Sequence, residues 1–226
     1  MKLSSRLQKF NEPETLKMAK LGRELRAKGV DVIDLSLGEP DFDTPDHVKQ
    51  FAKKAIDDNY SHYTPVAGYA DLREAVCTKL KRDNNLDYKP ENILASTGAK
   101  QSLANIILAV VDIGDEVIIP TPYWVTYSEL VRLADGKPVF VQSSIESNYK
   151  ITPEQLEAAI TPKTKLFMFS SPCNPSGSVY SREELKGLAE VFSKHPDVLI
   201  ISDEIYEYIN YKGKHESIAQ FSDIKD

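Results

Sequence analysis

The chain has little that would tie it to a membrane, a metal, a nucleic acid or an oxidising compartment. Its 226 residues include only two cysteines, Cys77 and Cys173, so no disulfide framework is indicated and a reducing cytoplasm is the expected setting. The longest apolar runs, such as 106–111, are far shorter than a bilayer requires. Met1-Lys2-Leu3 leads into polar residues, so no secretory signal is visible. The net charge is −6 with no long basic run, which argues against nucleic-acid binding. The four histidines, His47, His62, His195 and His215, have no metal-ligand spacing and read as surface or loop residues. No G-x-G-x-x-G or Walker pattern occurs, which leaves a dinucleotide or ATP site without support.

What is present describes a globular α/β protein. Hydrophobic residues make up 41% and charged residues 27%, a balance that excludes disorder and allows a substantial core. Residues 16–28 read as an amphipathic helix stopped by Gly29, and 32–37 as a short strand. Helices are expected from about Pro45 and over 70–82, with a loop at 63–68 between them. From residue 91 strand and helix alternate: strands at 93–96, 116–119, 139–141, 166–169 and 198–201, helices at 99–111, 123–133, 153–160 and 182–194. Short continuous apolar runs are the mark of strands buried on both faces. Repeated βα units predict a mostly parallel sheet with helices on both faces. The chain stops at Asp226 within this alternation, and further polypeptide is expected to follow.

Several residues at strand ends suit a ligand crevice, because open α/β sheets bind there. Ser96-Thr97-Gly98-Ala99-Lys100-Gln101 lies between a strand and a helix. Free N–H groups at the helix start suit a phosphate, and Gly98 permits close approach; an ordinary helix cap with a turn glycine is the alternative. Trp124, the single tryptophan, stands at another such junction, either to stack on a flat heterocycle or to fill the core. Asn174-Pro175 follows one apolar run. Asp203 ends another, where a carboxylate needs a partner: a pyridinium N–H, a helix cap or a salt bridge. Tyr206 shares a face with Asp203 if the segment turns; otherwise it joins Tyr208 and Tyr211 in a half-buried strand. Cys173 stands beside Asn174, with no base in sight to activate it.

Six ordered stretches, LSLGEPDFDTP, YTPVAGYADLREA, STGAKQ, PYWVTY, SSPCNPSG and SDEIYEY, resemble the class I aminotransferases of pyridoxal phosphate (PLP) fold type I. The resemblance covers essentially the whole chain and is strongest to the bacterial aspartate aminotransferase group. It implies an incomplete PLP-binding large domain over 41–226, preceded by an N-terminal arm and the start of a small domain over 1–40. It also implies the cofactor contacts. Backbone groups of Ala99 and Lys100 would bind the phosphate, and Trp124 would stack on the ring. Asn174 and Tyr206 would bond the ring's 3-oxygen, and Asp203 would pair with its nitrogen. Tyr63 would reach the phosphate of a neighbouring subunit, which implies a homodimer with shared sites. Gly38, Trp124 and Asn174 would meet the substrate, with Lys100 and Thr15 placed for a distal carboxylate. The family's Schiff-base lysine and its carboxylate-clamping arginine are expected beyond Asp226, so no catalytic residue is assigned within the chain. The implied reaction is transamination between an amino acid, with aspartate favoured, and 2-oxoglutarate. Another aminotransferase, a PLP lyase of the same fold and a non-catalytic PLP-binding module remain alternatives.

Overall fold

The computed structural model describes residues 14–35, 38 and 40–221, with side chains from residue 17 onward. These residues fall into two compact units, one within Asn11–Pro65 and the other within Val66–Asp226. The first unit holds two helices, α1 (Glu14–Ala27) and α2 (Asp46–Asp57). Arg26 pairs with Asp34 at 3.2 Å, which ties α1 to the segment that follows it. Of the strand expected at 32–37, residues 32–35 have no regular structure, and Ser36 and Leu37 lie outside the described residues. Among the described residues, all four strands belong to the other unit, and the first unit contains none that could form a ladder with this segment.

The second unit is the α/β body. Its elements run α3 (Ala70–Asn84), α4 (Ala99–Val110), β1 (Glu116–Pro120), α5 (Thr126–Leu133), β2 (Lys137–Val141), α6 (Pro153–Ala159), β3 (Thr164–Ser170), α7 (Arg182–Phe192) and β4 (Leu199–Asp203). Local sequence sets several boundaries. The Thr152 hydroxyl accepts from the N–H of Gln155 while the Gln155 side chain accepts from the N–H of Thr152, a reciprocal cap with Pro153 in the first turn. Ser181 and Glu184 start α7 in the same way. α3 ends where Asn85 turns left-handed (φ 54°).

The four strands form one parallel sheet in the order β2-β1-β3-β4. Alternation along the central strands sends side chains to two cores. Ile118, Phe167 and Phe169 point to one face and meet Leu156, Leu185, Leu188 and Phe192 of α6 and α7. Val117, Ile119, Leu166 and Met168 point to the other and meet Leu103 and Ile107 of α4 with Tyr127 and Val131 of α5. The expected two-faced sheet is therefore present, and each fully buried side chain of this kind contributes roughly 1.5–3 kcal/mol.

The expected strand at 93–96 is not formed. Ile93 has extended dihedral angles, yet the only backbone ladder contact of this stretch is the Ala95 N–H to the Ala67 carbonyl at 3.0 Å. Among the described residues no strand lies alongside to pair with it, so extended preference alone does not make a strand.

Candidate functional site

The strand order places a switch point between β1 and β3, because the chain leaves β1 toward β2 on one side while β3 and β4 lie on the other. Loops leaving the carboxyl ends there diverge and open a crevice. The loop after β1 passes through a cis Thr121-Pro122 bond to Tyr123 and Trp124; the loop after β3 holds cis bonds at Ser171-Pro172 and Asn174-Pro175. Asp203 is the last residue of β4. Three predicted site residues thus stand on three adjacent strand ends.

Asp203 is half-buried, and each of its carboxylate oxygens accepts one hydrogen bond. Its Oδ2 accepts a 2.7 Å hydrogen bond from the Tyr127 hydroxyl, and its Oδ1 accepts from the N–H of Ile205 at 3.2 Å. No ion pair to Asp203 exists among the described residues, and it caps no helix, so neither structural alternative for this carboxylate applies. Each carboxylate oxygen still has lone-pair capacity for another donor. Burial, reinforced by the charge of Asp203, pushes the Tyr127 phenol well above the ordinary tyrosine range. Tyr127 therefore remains a donor at any working pH.

The segment after Asp203 turns instead of continuing as a strand. The N–H of Glu207 bonds to the Glu204 carbonyl at 3.0 Å, and that of Ile209 to the Tyr206 carbonyl at 2.8 Å. The turn brings the Tyr206 hydroxyl to 3.4 Å from Asn174 Nδ2. An amide donor and a phenol donor so placed can converge on one acceptor oxygen.

Trp124 is half-buried, set edge-on to Tyr127 at 5.7 Å between ring centroids, and covered by the Lys100 ammonium 4.9 Å from its own centroid. It lines the core without being enclosed by it. Lys100 begins α4 together with Ala99, after Gly98 at φ 81°, ψ 161°. No side chain caps this helix, so the first N–H groups of α4 face outward. Among the described residues, Ser96 Oγ, just upstream, is buried without a hydrogen-bond partner. Ser170 and Cys173 line a small cavity beneath the site with Tyr127 and Tyr180, and Cys173 Sγ lies 3.5 Å from the Pro122 carbonyl.

Gly38 and Tyr63 belong to the first unit, where both are exposed. Thr15 lies on α1, and its side chain falls outside the described residues. Two residues of the site region escape the sequence reading. Tyr127 ends the stretch PYWVTY but has no role assigned to it from sequence; the available signal is its position three residues after Trp124 on a helix that must face the sheet. His215, expected at the surface or in a loop, is in a loop but only 6% exposed, with Nε2 2.9 Å from Glu204 Oε2.

The sequence pattern of the family described as "Aminotransferase class I and II" matches residues 30–225. The chain belongs to that family. It is 51% identical over 213 residues to an aspartate/prephenate aminotransferase of Nitrosomonas europaea, covering 94% of this chain and 54% of that protein. It is 49% identical to an aspartate aminotransferase of Bacillus subtilis, covering 99% and 57%. Among solved structures, the aspartate aminotransferase of Rhizobium meliloti superposes with a TM-score of 0.96 at 42% identity, covering all of this chain and 57% of that one. That of Thermus thermophilus, solved with maleate, gives 0.94 at 43% identity, covering 97% and 57%. The chain thus spans a little over half the length of the relatives it matches.

Proposed function

We propose that this chain serves as the PLP-binding amino-terminal part of an aminotransferase that moves an amino group between aspartate and 2-oxoglutarate in the cytoplasm. The observation that carries the reading is the acceptor and donor set at the ends of β1, β3 and β4: the Tyr127-held carboxylate of Asp203 beside the converging Asn174 amide and Tyr206 phenol. That set fits PLP group by group. Asp203 is the acceptor for a protonated ring nitrogen. Asn174 Nδ2 and the Tyr206 hydroxyl suit the 3-oxygen. The uncapped N–H groups of Ala99 and Lys100 suit the phosphate, with the partnerless Ser96 Oγ nearby in sequence. Trp124 offers a flat face for the ring. When bound, the cofactor supplies the electron sink that amino-group transfer requires.

The chain's own contribution is binding and electrostatics. Tyr127 keeps Asp203 oriented by donating to its Oδ2. So held, Asp203 would accept from the cofactor's ring nitrogen. Gly38 would meet the substrate's α-carboxylate through its backbone, and Lys100 with Thr15 would meet the distal carboxylate of a dicarboxylic substrate. Tyr63 would serve the phosphate of the neighbouring subunit in a homodimer. The lysine that binds the cofactor covalently and the arginine that clamps the α-carboxylate would come from outside this chain.

The names of the relatives favour a second reading, in which prephenate is also an amino acceptor. The test is a substrate panel on the full-length protein. Formation of glutamate and oxaloacetate from aspartate and 2-oxoglutarate supports the proposal, and transfer to prephenate adds the second acceptor. Release of pyruvate and ammonia indicates elimination instead. An Asp203→Asn variant that retains full transfer activity would remove the role assigned to that carboxylate.

A further inference from the structure

The turn that carries Tyr206 is anchored at two places by carboxylates. At its base, Glu204 accepts from the Ser202 hydroxyl at 2.8 Å through Oε1 and meets the buried His215 through Oε2. At its front, Glu207 reaches the end of α3. Its Oε1 accepts from Asn84 Nδ2 at 2.8 Å, and its Oε2 accepts from Lys79 Nζ. Lys79 also donates to Asn84 Oδ1 at 2.9 Å. Each of the three side chains is thus bonded to the other two, which closes a triangle between segments more than 120 residues apart in sequence.

The triangle is sheltered. Asn84 is 1% exposed, and the Glu207 and Lys79 side chains are 13% and 26% exposed. It is also braced. The Gln220 side chain donates to the Asn84 carbonyl at 2.8 Å, the Tyr208 hydroxyl donates to Asp83 at 2.7 Å, and the Lys79 ammonium lies 5.3 Å from the Tyr208 ring centroid. By contrast, the only hydrogen bond of the Tyr206 hydroxyl among the described residues is the long 3.4 Å one from Asn174 Nδ2. The position of this hydroxyl is therefore set by its backbone, and its backbone is set by the neighbouring Glu207.

We propose that Glu207 is a positioning residue: through its closed triangle with Lys79 and Asn84 it fixes the turn carrying Tyr206, and so the direction from which that hydroxyl meets its acceptor. The inference rests on the role of Tyr206 proposed above. Neither Lys79 nor Glu207 is expected to touch cofactor or substrate.

The test uses the full-length protein loaded with PLP and follows the pH midpoint of the cofactor's visible absorbance. A hydrogen bond to the ionised 3-oxygen favours that form, so Tyr206→Phe raises the midpoint. Glu207→Ala is expected to raise it in the same direction by a smaller amount, and Lys79→Met to follow Glu207→Ala. Adding Glu207→Ala to Tyr206→Phe is expected to give no further shift, since both act through one hydroxyl. Melting temperature is measured on the same samples. A lowered melting temperature with an unmoved midpoint in Glu207→Ala and Lys79→Met would overturn the inference, as would additive shifts in the double variant. An unmoved midpoint in Tyr206→Phe itself would remove the proposed role of Tyr206 and this inference with it. If Glu207→Ala does not fold, Lys79→Met, which leaves the Glu207–Asn84 bond in place, carries the comparison alone.

Discussion

Tyr127, in the first turn of α5, holds Asp203, 76 residues later at the end of β4, through a 2.7 Å hydrogen bond to Oδ2. The bond joins a helix on one face of the sheet to the most chemically committed carboxylate of the site. Replacing Tyr127 with Phe keeps the ring that packs against Trp124 and removes only the donor. A hydrogen bond to a charged group contributes about 1.5–3 kcal/mol, so a loss of that size is expected by urea denaturation at neutral pH. Unchanged stability would mean that the bond to Asp203 contributes nothing to the fold.

Alkaline pH offers a second check. Burial raises the phenols of both Tyr127 and Tyr180 above the ordinary range. In the unfolded chain these groups ionise at about pH 10, while in the folded chain they keep their protons. The folded state then binds more protons than the unfolded state, so stability falls as pH rises above that point. Below it their contribution is fully present. Denaturation midpoints measured from pH 8 upward should decline from about pH 10, and Tyr127→Phe should flatten part of that decline. A midpoint that holds steady in wild type would contradict the burial argument.

Gly98 is the next target. Its φ of 81° and ψ of 161° lie where side-chain-bearing residues are strained, yet an added Cβ would meet no atom within 4 Å. Gly98→Ala should therefore cost about 1–3 kcal/mol through the backbone alone, without a clash. The start of α4 should also bind inorganic phosphate more weakly, as read by protection against denaturation. Unchanged stability would show that the helix start adopts another conformation.

The 226-residue chain, purified and supplied with PLP, aspartate and 2-oxoglutarate, is expected to show no transamination, because no lysine in it is assigned to the cofactor's aldehyde carbon. Turnover above a heat-denatured control would overturn this expectation.

The sheet and its helices were legible because their signals are local. Ile118, flanked by Val117 and Ile119, is apolar whichever way the strand faces, and Thr152 and Ser181 announce their helices three residues ahead of a glutamine and a glutamate. Residues 32–35 and 93–96 misled for the complementary reason. A strand is defined by its neighbour, and no property of Ile93 or Leu94 reports whether one is there. The site divides in the same way. Asn174 and Asp203 stand out because a polar group at the end of an apolar run demands a partner. Tyr127 and Glu207 do not, because their partners lie 76 and more than 120 residues away and only the folded chain brings them together.

Trp124 and Asn174 follow β1 and β3, and Asp203 ends β4, three strands that lie side by side. Hydrogen-bonded strands repeat at about 4.8 Å, a spacing set by the peptide group and indifferent to side chains. The sheet therefore acts as a ruler whose graduations no single substitution can rescale. Loop residues can be exchanged and their chemistry altered, yet each replacement still starts from the same mark. Divergence in such a scaffold changes what is said at each position while the distance between positions stays constant.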